Sequence, residues 1–432
     1  MESDRSHSCN QCSHCNCNHS HNELLNQVSR PVYAELANTF PELREFMVGD
    51  DYQFKTIESV YVLTEVLLKN YFELDVTLDR RHLCPRIANR LDYVLWILDV
   101  IHSASSGDCK QIVGLDIGVG ASGIYPLLAC AIDDDVHFWG TDVNQSSLEF
   151  LKTNLDRNPQ VGSRVSLRKV EDTTPFFDMC ETQDVHFSFS LCNPPFYESL
   201  QELEQLRAMK HDAPFTSNSS GTDNELFVTG GELQFTLKMV EESVTIKNQV
   251  TWFSTMVGKK STIESLVHRL NQMDISNYAL HEIAHGQTKR WVVAWSFSPY
   301  HVEDRLGRIS GPLRHLNPAC TQVELDLKTD PVTNNVFEEA VEQLRSNGAD
   351  IIAPSLKDSQ KNWRITVPGD IWSRGFRRRQ AKGKPSIESP AEVFVTITDN
   401  YQLHIRWLKG KDGKLFESFC GWLIRCFRIA SS

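Results

Sequence analysis

The feature that most constrains this chain lies between residues 111 and 132. There a short apolar run, QIVGLDI, passes through Gly118-Val119-Gly120-Ala121-Ser122-Gly123 into the helical stretch IYPLLACAI. A strand, a glycine-rich turn and a helix in that order are the start of a ligand-binding α/β unit. The glycines let the backbone come close to a ligand, and the helix amino terminus offers free amides. The next apolar run, Val136–Asp142, ends in Asp142, 19 residues beyond Gly123. A carboxylate at that strand end accepts hydrogen bonds from ribose hydroxyls. NAD, FAD and S-adenosylmethionine sites all share this pair of features.

Strand and helix patterns alternate from there. A helix follows at NQSSLEFLKTNLDRN, capped by Asn144 or Ser146, then strands at Val165–Val170 and Val185–Cys192. The helix GGELQFTLKMVEESVTI, the strand QVTWFSTMV, a helix from Ser261 to about Gln272, and strands YALHEIA and RWVVAWSF complete the region. Such alternation predicts a doubly wound α/β sheet with its ligand site at the strand carboxyl ends. Before it, three stretches (PVYAELANTFPELREFM, IESVYVLTEVLLKNYF and RIANRLDYVLWILDVIH) have apolar residues at helical spacing. The chain therefore divides into a Cys/His-rich polar tail (1–22), a helical lead (23–105), the α/β unit (106–298), an irregular linker (299–319) and a carboxyl-terminal α+β unit (320–432). In the last, strand patterns at TQVELDLK, NWRITVP, VFVTITDN and QLHIRWLKG accompany helices at FEEAVEQLRSNG and KLFESFCGWLIRCFRI.

Asn193-Pro194-Pro195-Phe196, at the end of the fourth strand, narrows the choice of cofactor. The proline pair fixes backbone angles and removes two amide donors, leaving carbonyls free to accept. With the Asn193 side-chain oxygen and the Phe196 face, they form a holder for a planar exocyclic amine. Two acceptors on the two N–H groups leave the nitrogen lone pair aimed at an electrophile, which suits attack on a sulfonium methyl. A dehydrogenase would have no use for this turn.

The D-x-G-x-G run, the strand-end acid and NPPF resemble the S-adenosylmethionine-dependent adenine-N6 methyltransferases. More narrowly, residues 31–298, about 60% of the chain, resemble the U6 spliceosomal RNA N6-adenosine methyltransferase family, related to bacterial 23S rRNA adenine methyltransferases. The segments that carry this are NRLDYVLWILDVI, LDIGVGASGIYPLLA, CNPPFYES, GGELQF, VGKKS and GQTKRWVVAWSF. The resemblance implies a Rossmann-like methyltransferase fold using S-adenosyl-L-methionine. It implies that Arg90 clasps the cofactor's methionine carboxylate, that Gly118, Gly120 and Ser122 line its amino-acid moiety, and that Asp142 takes the ribose. Thr174 would flank the cofactor adenine. Asn193 and the Pro194 carbonyl would hold the target amine, with Pro195 completing the turn and Phe196 stacking on a flipped base. Two departures stand out: Asp172-Thr173 precede Thr174 where animal members carry a lysine, and Gln287 stands where an RNA-contacting arginine is expected.

Structured RNA is the expected partner, with no membrane, since no apolar run approaches the ~18 residues of a spanning helix. The net charge of −12 argues against a uniformly basic surface. The average conceals a local excess, because residues 361–384 alone hold eight Lys/Arg against one Asp. Arg377-Arg378-Arg379 lie there among Trp363, Trp372 and Phe376, a mixture suited to phosphate contact with stacking. Lys259, Lys260, Lys289 and Arg290 are further candidates for RNA contact, and the polar stretch 197–230 is a candidate substrate loop. The carboxyl-terminal unit is similar to the kinase-associated-1-like RNA-binding module of animal family members. Four of the twelve cysteines (Cys9, Cys12, Cys15 and Cys17) lie among histidines in a tract too short to supply a second ligand pair at finger spacing, so no metal site is assigned. The expected compartment is the nucleus, with the cytoplasm second. The rival readings are a ribosomal RNA or DNA adenine methyltransferase, a protein glutamine methyltransferase, and an RNA-binding regulator that retains a cofactor pocket.

Overall fold

In the structure, a computed structural model, the strand patterns at 112–295 become one seven-stranded sheet. The residues described are 14–104, 111–183, 185–208, 221–285, 289–327, 332–352, 361–383, 389–398 and 401–430. In chain order the strands are β1 (Ile112–Ile117), β2 (Val136–Asp142), β3 (Val165–Lys169), β4 (Phe187–Cys192), β5 (Val250–Val257), β6 (Tyr278–Ile283) and β7 (Arg290–Trp295). Their spatial order is β3-β2-β1-β4-β5-β7-β6. The first five pair in parallel, and β7 lies antiparallel to β5. β4 is buried at every position, as expected of a parallel strand covered on both faces. This mixed sheet with a parallel centre fits a Rossmann-like methyltransferase fold.

Register decides where the chemistry sits. Ile117 at the end of β1 is opposite Thr141 on β2 and Cys192 on β4. The residues that follow these three are Gly118, Asp142 (the last residue of β2) and Asn193, so all three lie at one level along the carboxyl edge of the sheet. The chain turns at Gly118, whose amide donates to the Thr141 carbonyl at 2.9 Å.

Helices α1 (Ile57–Phe72), α2 (Ile87–Ser103), α3 (Ile124–Ile132), α4 (Gln145–Arg157), α5 (Gly231–Ile246) and α6 (Lys260–Gln272) accompany the sheet. Asn144 caps α4, its side chain accepting from the Ser146 and Ser147 amides. The lead segment 31–47 is not one helix. It is an α-helix Tyr33–Thr39 and a 3-10 turn Pro41–Phe46, because Pro41 has no amide to continue the ladder. Helical backbone also runs through His14–Ser29, inside what the composition suggests is a tail. Residues 1–13, including Cys9 and Cys12, lie outside the described residues, as does Gln287.

The chain divides into two units. One comprises Met1–Ile101, Asp108–Ile275 and Leu280–Ser296, the other His102–Gly107, Ser276–Ala279 and Phe297–Ser432. The second is an antiparallel sheet of β8 (Gln322–Asp326), β9 (Asp350–Ile352), β10 (Lys361–Val367), β11 (Ala391–Ile397) and β12 (Gln402–Lys409), in the order β8-β12-β11-β10-β9. Helices α7 (Val332–Ser346), α8 (Arg374–Ala381) and α9 (Gly413–Ala430) complete it. Trp363, Trp372 and Phe376 do not present stacking faces as their spacing suggests. They are buried in this unit's core with Phe337, Phe419 and Trp422. Their apolar area is worth more packed than exposed, at about 1.5–3 kcal/mol per large side chain. The stretch 299–319, expected as a linker, carries short helical turns and is pinned by paired Asn317–Ile309 hydrogen bonds of 2.8 Å each.

The glycines of the turn serve different ends. Gly118 (φ +75°) and Gly120 (φ +64°) leave open space where a Cβ would stand, whereas a Cβ on Gly123 (φ +56°) would collide with Leu151 of α4. Gly123→Ala therefore adds a steric clash to left-handed strain, a loss of about 1–3 kcal/mol. Scanning calorimetry is expected to show a larger fall in melting temperature for Gly123→Ala than for Gly118→Ala.

Candidate active site

One cavity of about 850 Å³ opens along the carboxyl edge of β1, β2 and β4. Arg90, Gly118, Gly120, Ser122, Asp142, Thr174, Asn193 and Pro195 all line it, so residues more than 100 positions apart in the chain share one space. The Gly120 amide donates to Asp142 Oδ2 at 2.8 Å, and the Asn144 amide to Oδ1 at 2.8 Å. The strand-end acid thus holds the glycine turn as well as facing the cavity. Burial raises the Asp142 carboxyl above its ordinary value, and these two amides oppose the rise.

Asp116, two residues before Gly118, is the acid of the D-x-G-x-G run, to which the sequence assigns no separate role. It is 1% exposed, and neither carboxylate oxygen has a hydrogen-bond partner among the described residues. Burial, then the nearby Asp142 charge, push its pKa well up, with Arg90 acting the other way. A buried unpaired carboxylate calls for a cation or a donor. With the open cradle at Gly118 and Gly120, this chemistry fits a ligand with an ammonium group, such as the amino-acid end of S-adenosylmethionine.

Arg90, in the first turn of α2, reaches the same end of the cavity. Its Nη1 donates to Tyr125 Oη at 2.9 Å, Asn193 Oδ1 at 3.0 Å and Met256 Sδ at 3.1 Å. It forms no salt bridge among the described residues. Thr174 closes a turn, its Oγ1 accepting from the Glu171 amide at 3.1 Å. Beside it Phe176 packs on Phe235 with ring centroids 4.6 Å apart, and the Lys238 ammonium lies 4.9 Å from the Phe176 ring centre. This aromatic wall gave no signal in the sequence, because its two rings are 59 residues apart.

Pro194 is buried and Phe196 half-buried, neither lining the cavity, and the Phe196 ring lies beside Tyr197 at 6.1 Å between ring centroids. The Arg290 guanidinium sits 5.9 Å from the Phe196 ring centre and the Lys259 ammonium 6.0 Å from that of Tyr197. Two aromatic faces with a cation against each suit a base with its phosphates. Lys259 also pairs with Glu202 at 2.5 Å, Lys289 with Glu282 at 2.6 Å, and the exposed Lys260 with Glu264 at 3.6 Å. Glu232 is almost wholly buried and accepts from the Gly258 amide at 2.6 Å and the Lys259 amide at 3.2 Å, fixing the loop that carries Lys259. In the other unit Arg377 and Arg378 are exposed on α8, while Arg379 is tied back to Asp370.

The stretch 197–230 is partly regular, with a helix at Leu200–Ala208 and a turn at Asp223–Leu226; residues 209–220 lie outside the described residues. Thr222, Glu225, Phe227 and Val228 line the cavity. Glu225 latches them, accepting from the Leu83 amide at 3.2 Å and lying 3.2 Å from His82 Nδ1. The bond to Glu225 raises the His82 pKa above its ordinary 6.5 despite partial burial. Burial pushes the Glu225 carboxyl up, but His82 and the backbone amides outweigh it and hold it below 4.5. The His82 contribution is full below pH 6.5 and is lost as pH rises through its raised value; that of Glu225 is full above pH 4.5 and is lost as pH falls through its lowered value. Hydrogen-exchange protection of residues 222–228, corrected for intrinsic rates, is expected to fall between pH 6 and 9 and to stay flat in His82→Gln.

Residues 15–299 match the RNA methyltransferase family. The U6 small nuclear RNA (adenine-(43)-N(6))-methyltransferase of Schizosaccharomyces pombe is 31% identical over 383 residues, spanning 86% of this chain and 94% of that protein. The human METTL16 catalytic domain in complex with MAT2A 3′UTR hairpin 1 is similar in structure, with a TM-score of 0.56 at 29% identity, over 62% of this chain and 91% of that one. The N-terminal domain of human METTL16 in complex with SAH matches with a TM-score of 0.52 at 28% identity, over 63% of this chain and 96% of that one.

Proposed function

The chain belongs to the RNA methyltransferase family, and from that premise we propose U6 small nuclear RNA as its substrate. It is an S-adenosylmethionine-dependent RNA adenine-N6 methyltransferase. The observation that carries the reading is the convergence of Arg90, the Gly118–Gly120 cradle, Asp142, Asn193 and Pro195 on one cavity.

When bound, S-adenosylmethionine supplies the electrophilic methyl that the neutral adenosine amine takes up, with one amine proton released to water. Arg90 would hold the cofactor's carboxylate, Asp116 would meet its ammonium charge, and Asp142 would take the ribose hydroxyls. Thr174, with the Phe176–Phe235 wall, would hold its adenine. The Asn193 side-chain oxygen and the Pro194 carbonyl accept from the two amine hydrogens, and Phe196 stacks on the extruded base. No side chain is required as a base, because the amine reacts in its neutral form. The contribution of these residues is positioning, for which an effective molarity of about 10⁵ M or more is available to well-oriented groups.

Arg290 and Lys259 bind phosphates beside the Phe196–Tyr197 faces, with Lys260 and Lys289 at the margin. The second unit is read as an RNA-binding module of the kinase-associated-1-like kind, with Arg377 and Arg378 of α8 as its exposed cations and Arg379 shaping the helix start. The proposed compartment is the nucleus, where such a substrate resides.

Asn193→Ala is expected to abolish methyl transfer while calorimetric binding of S-adenosylhomocysteine stays within a few-fold of wild type. Arg377→Ala with Arg378→Ala is expected to weaken RNA binding and to reduce the slope of log affinity against log salt by roughly 2. Methylation of U6 RNA and of ribosomal RNA fragments, read by nucleoside mass spectrometry, tests the substrate. N6-methyladenosine in U6 RNA is expected, and its appearance only in ribosomal RNA would reassign the enzyme.

A further inference from the structure

We propose that Arg90 is a positioning residue that decides which end of the Asn193 carboxamide meets the target amine. The proposal rests on the reading above, in which Asn193 accepts a hydrogen bond from the adenosine amine. A carboxamide has two ends of nearly the same shape, an oxygen that only accepts and an NH₂ that donates. If the NH₂ end faced the adenosine amine, donor would meet donor and the base would be repelled. The NPPF turn by itself does not choose between the two ends, since a half-turn of the amide exchanges them.

Arg90 makes the choice. Its Nη1 lies 3.0 Å from the Asn193 side-chain atom assigned as oxygen. A guanidinium has no acceptor, so an NH₂ group could not sit at that distance, and the atom facing Arg90 must be the oxygen. The bond is charge-assisted, and therefore stronger than a neutral one. Nη1 is itself held in place by the hydroxyl of buried Tyr125 at 2.9 Å and by Met256 Sδ at 3.1 Å. The carboxamide oxygen has two acceptor sites. Arg90 takes one, and the other is left for the amine.

The same side chain retains capacity for a second task. The Nε and Nη2 groups of Arg90 make no hydrogen bond to the described residues, and Arg90 lines the cavity. One arm of the fork orients Asn193, and the rest remains available to the cofactor's carboxylate. Arg90 and Asn193 are 103 residues apart, one in a helix start and the other at a strand end, so only the packed fold joins them.

The test is an RNA-binding measurement made without cofactor. A U6 RNA fragment carrying adenosine at its methylated position is compared with the same fragment carrying purine there, which lacks only the amine. Wild-type protein is expected to prefer the adenosine RNA by about three- to tenfold, the usual worth of one net hydrogen bond. In Arg90→Met the preference is expected to fall below twofold, with the affinity for the purine RNA retained. Arg90→Lys, which keeps a cationic donor, is expected to recover part of it and serves as the second variant if the methionine protein does not fold. If the substituted proteins keep the full preference, or lose affinity for both RNAs equally, the proposal is overturned and the role of Asn193 stands. If wild type itself shows no preference, the role of Asn193 fails and the proposal with it.

Discussion

Parallel pairing of β1 with β2 on one side and β4 on the other is the constraint from which the site follows. The parallel register puts Ile117 level with Thr141 and Cys192. The next residue along each chain segment is Gly118, Asp142 or Asn193, so a cradle, an acid and an amine acceptor line up along one edge of the sheet. No loop has to travel to assemble them. A slip of one residue would turn each side chain to the opposite face of the sheet. The burial of β4 at every position and the close fit of Gly114 against Phe138 and Phe189 resist such a slip.

Electrostatics in the cavity are set by incomplete pairing. Asp116 is buried without a partner, and Arg90 sits near it without forming a salt bridge. Closing these two groups into an internal ion pair would neutralise the site, and a zwitterionic amino-acid moiety would then have nothing to bind. Keeping them apart leaves a polar group for each end of such a moiety, the unpartnered Asp116 carboxyl and the remaining donors of Arg90. Outside the cavity the opposite holds, since Lys259, Lys260 and Lys289 each have a carboxylate neighbour. Exposed pairs of this kind are worth only about 0–1 kcal/mol, so RNA phosphates can compete for them.

The total charge of −12 says little about how such a protein meets RNA. The eight cations between 361 and 384 leave a balance of −19 for everything else, and within the first unit the useful cations are placed singly against Phe196 and Tyr197. The second unit corrects a simpler expectation. Aromatic residues between arginines suggest a stacking surface, but Trp363, Trp372 and Phe376 form the core, and of the arginine triplet Arg377 and Arg378 are exposed while Arg379 pairs with Asp370. In a unit of this size, large aromatic side chains supply much of the buried apolar area.

Features whose meaning is local were legible along the chain. Gly118–Gly123 between a strand and a helix, Asp142 at a strand end, and the Asn193–Phe196 turn each carry their backbone geometry and donor pattern within a few residues. Hydrophobic periodicity placed most elements, failing chiefly where Pro41 interrupts a helix and where 299–319 is held by side-chain bonds that no pattern announces. Other features depend on contacts between distant positions and emerge only on folding: the orphaned Asp116, the Glu225 latch on His82, Arg290 against Phe196, and the Arg90 bond to Asn193. The physical reason is range. Turn chemistry is written over a few consecutive residues, whereas a hydrogen bond or a ring contact is fixed within a few ångströms of space that residues far apart in the chain reach only after the sheet has formed.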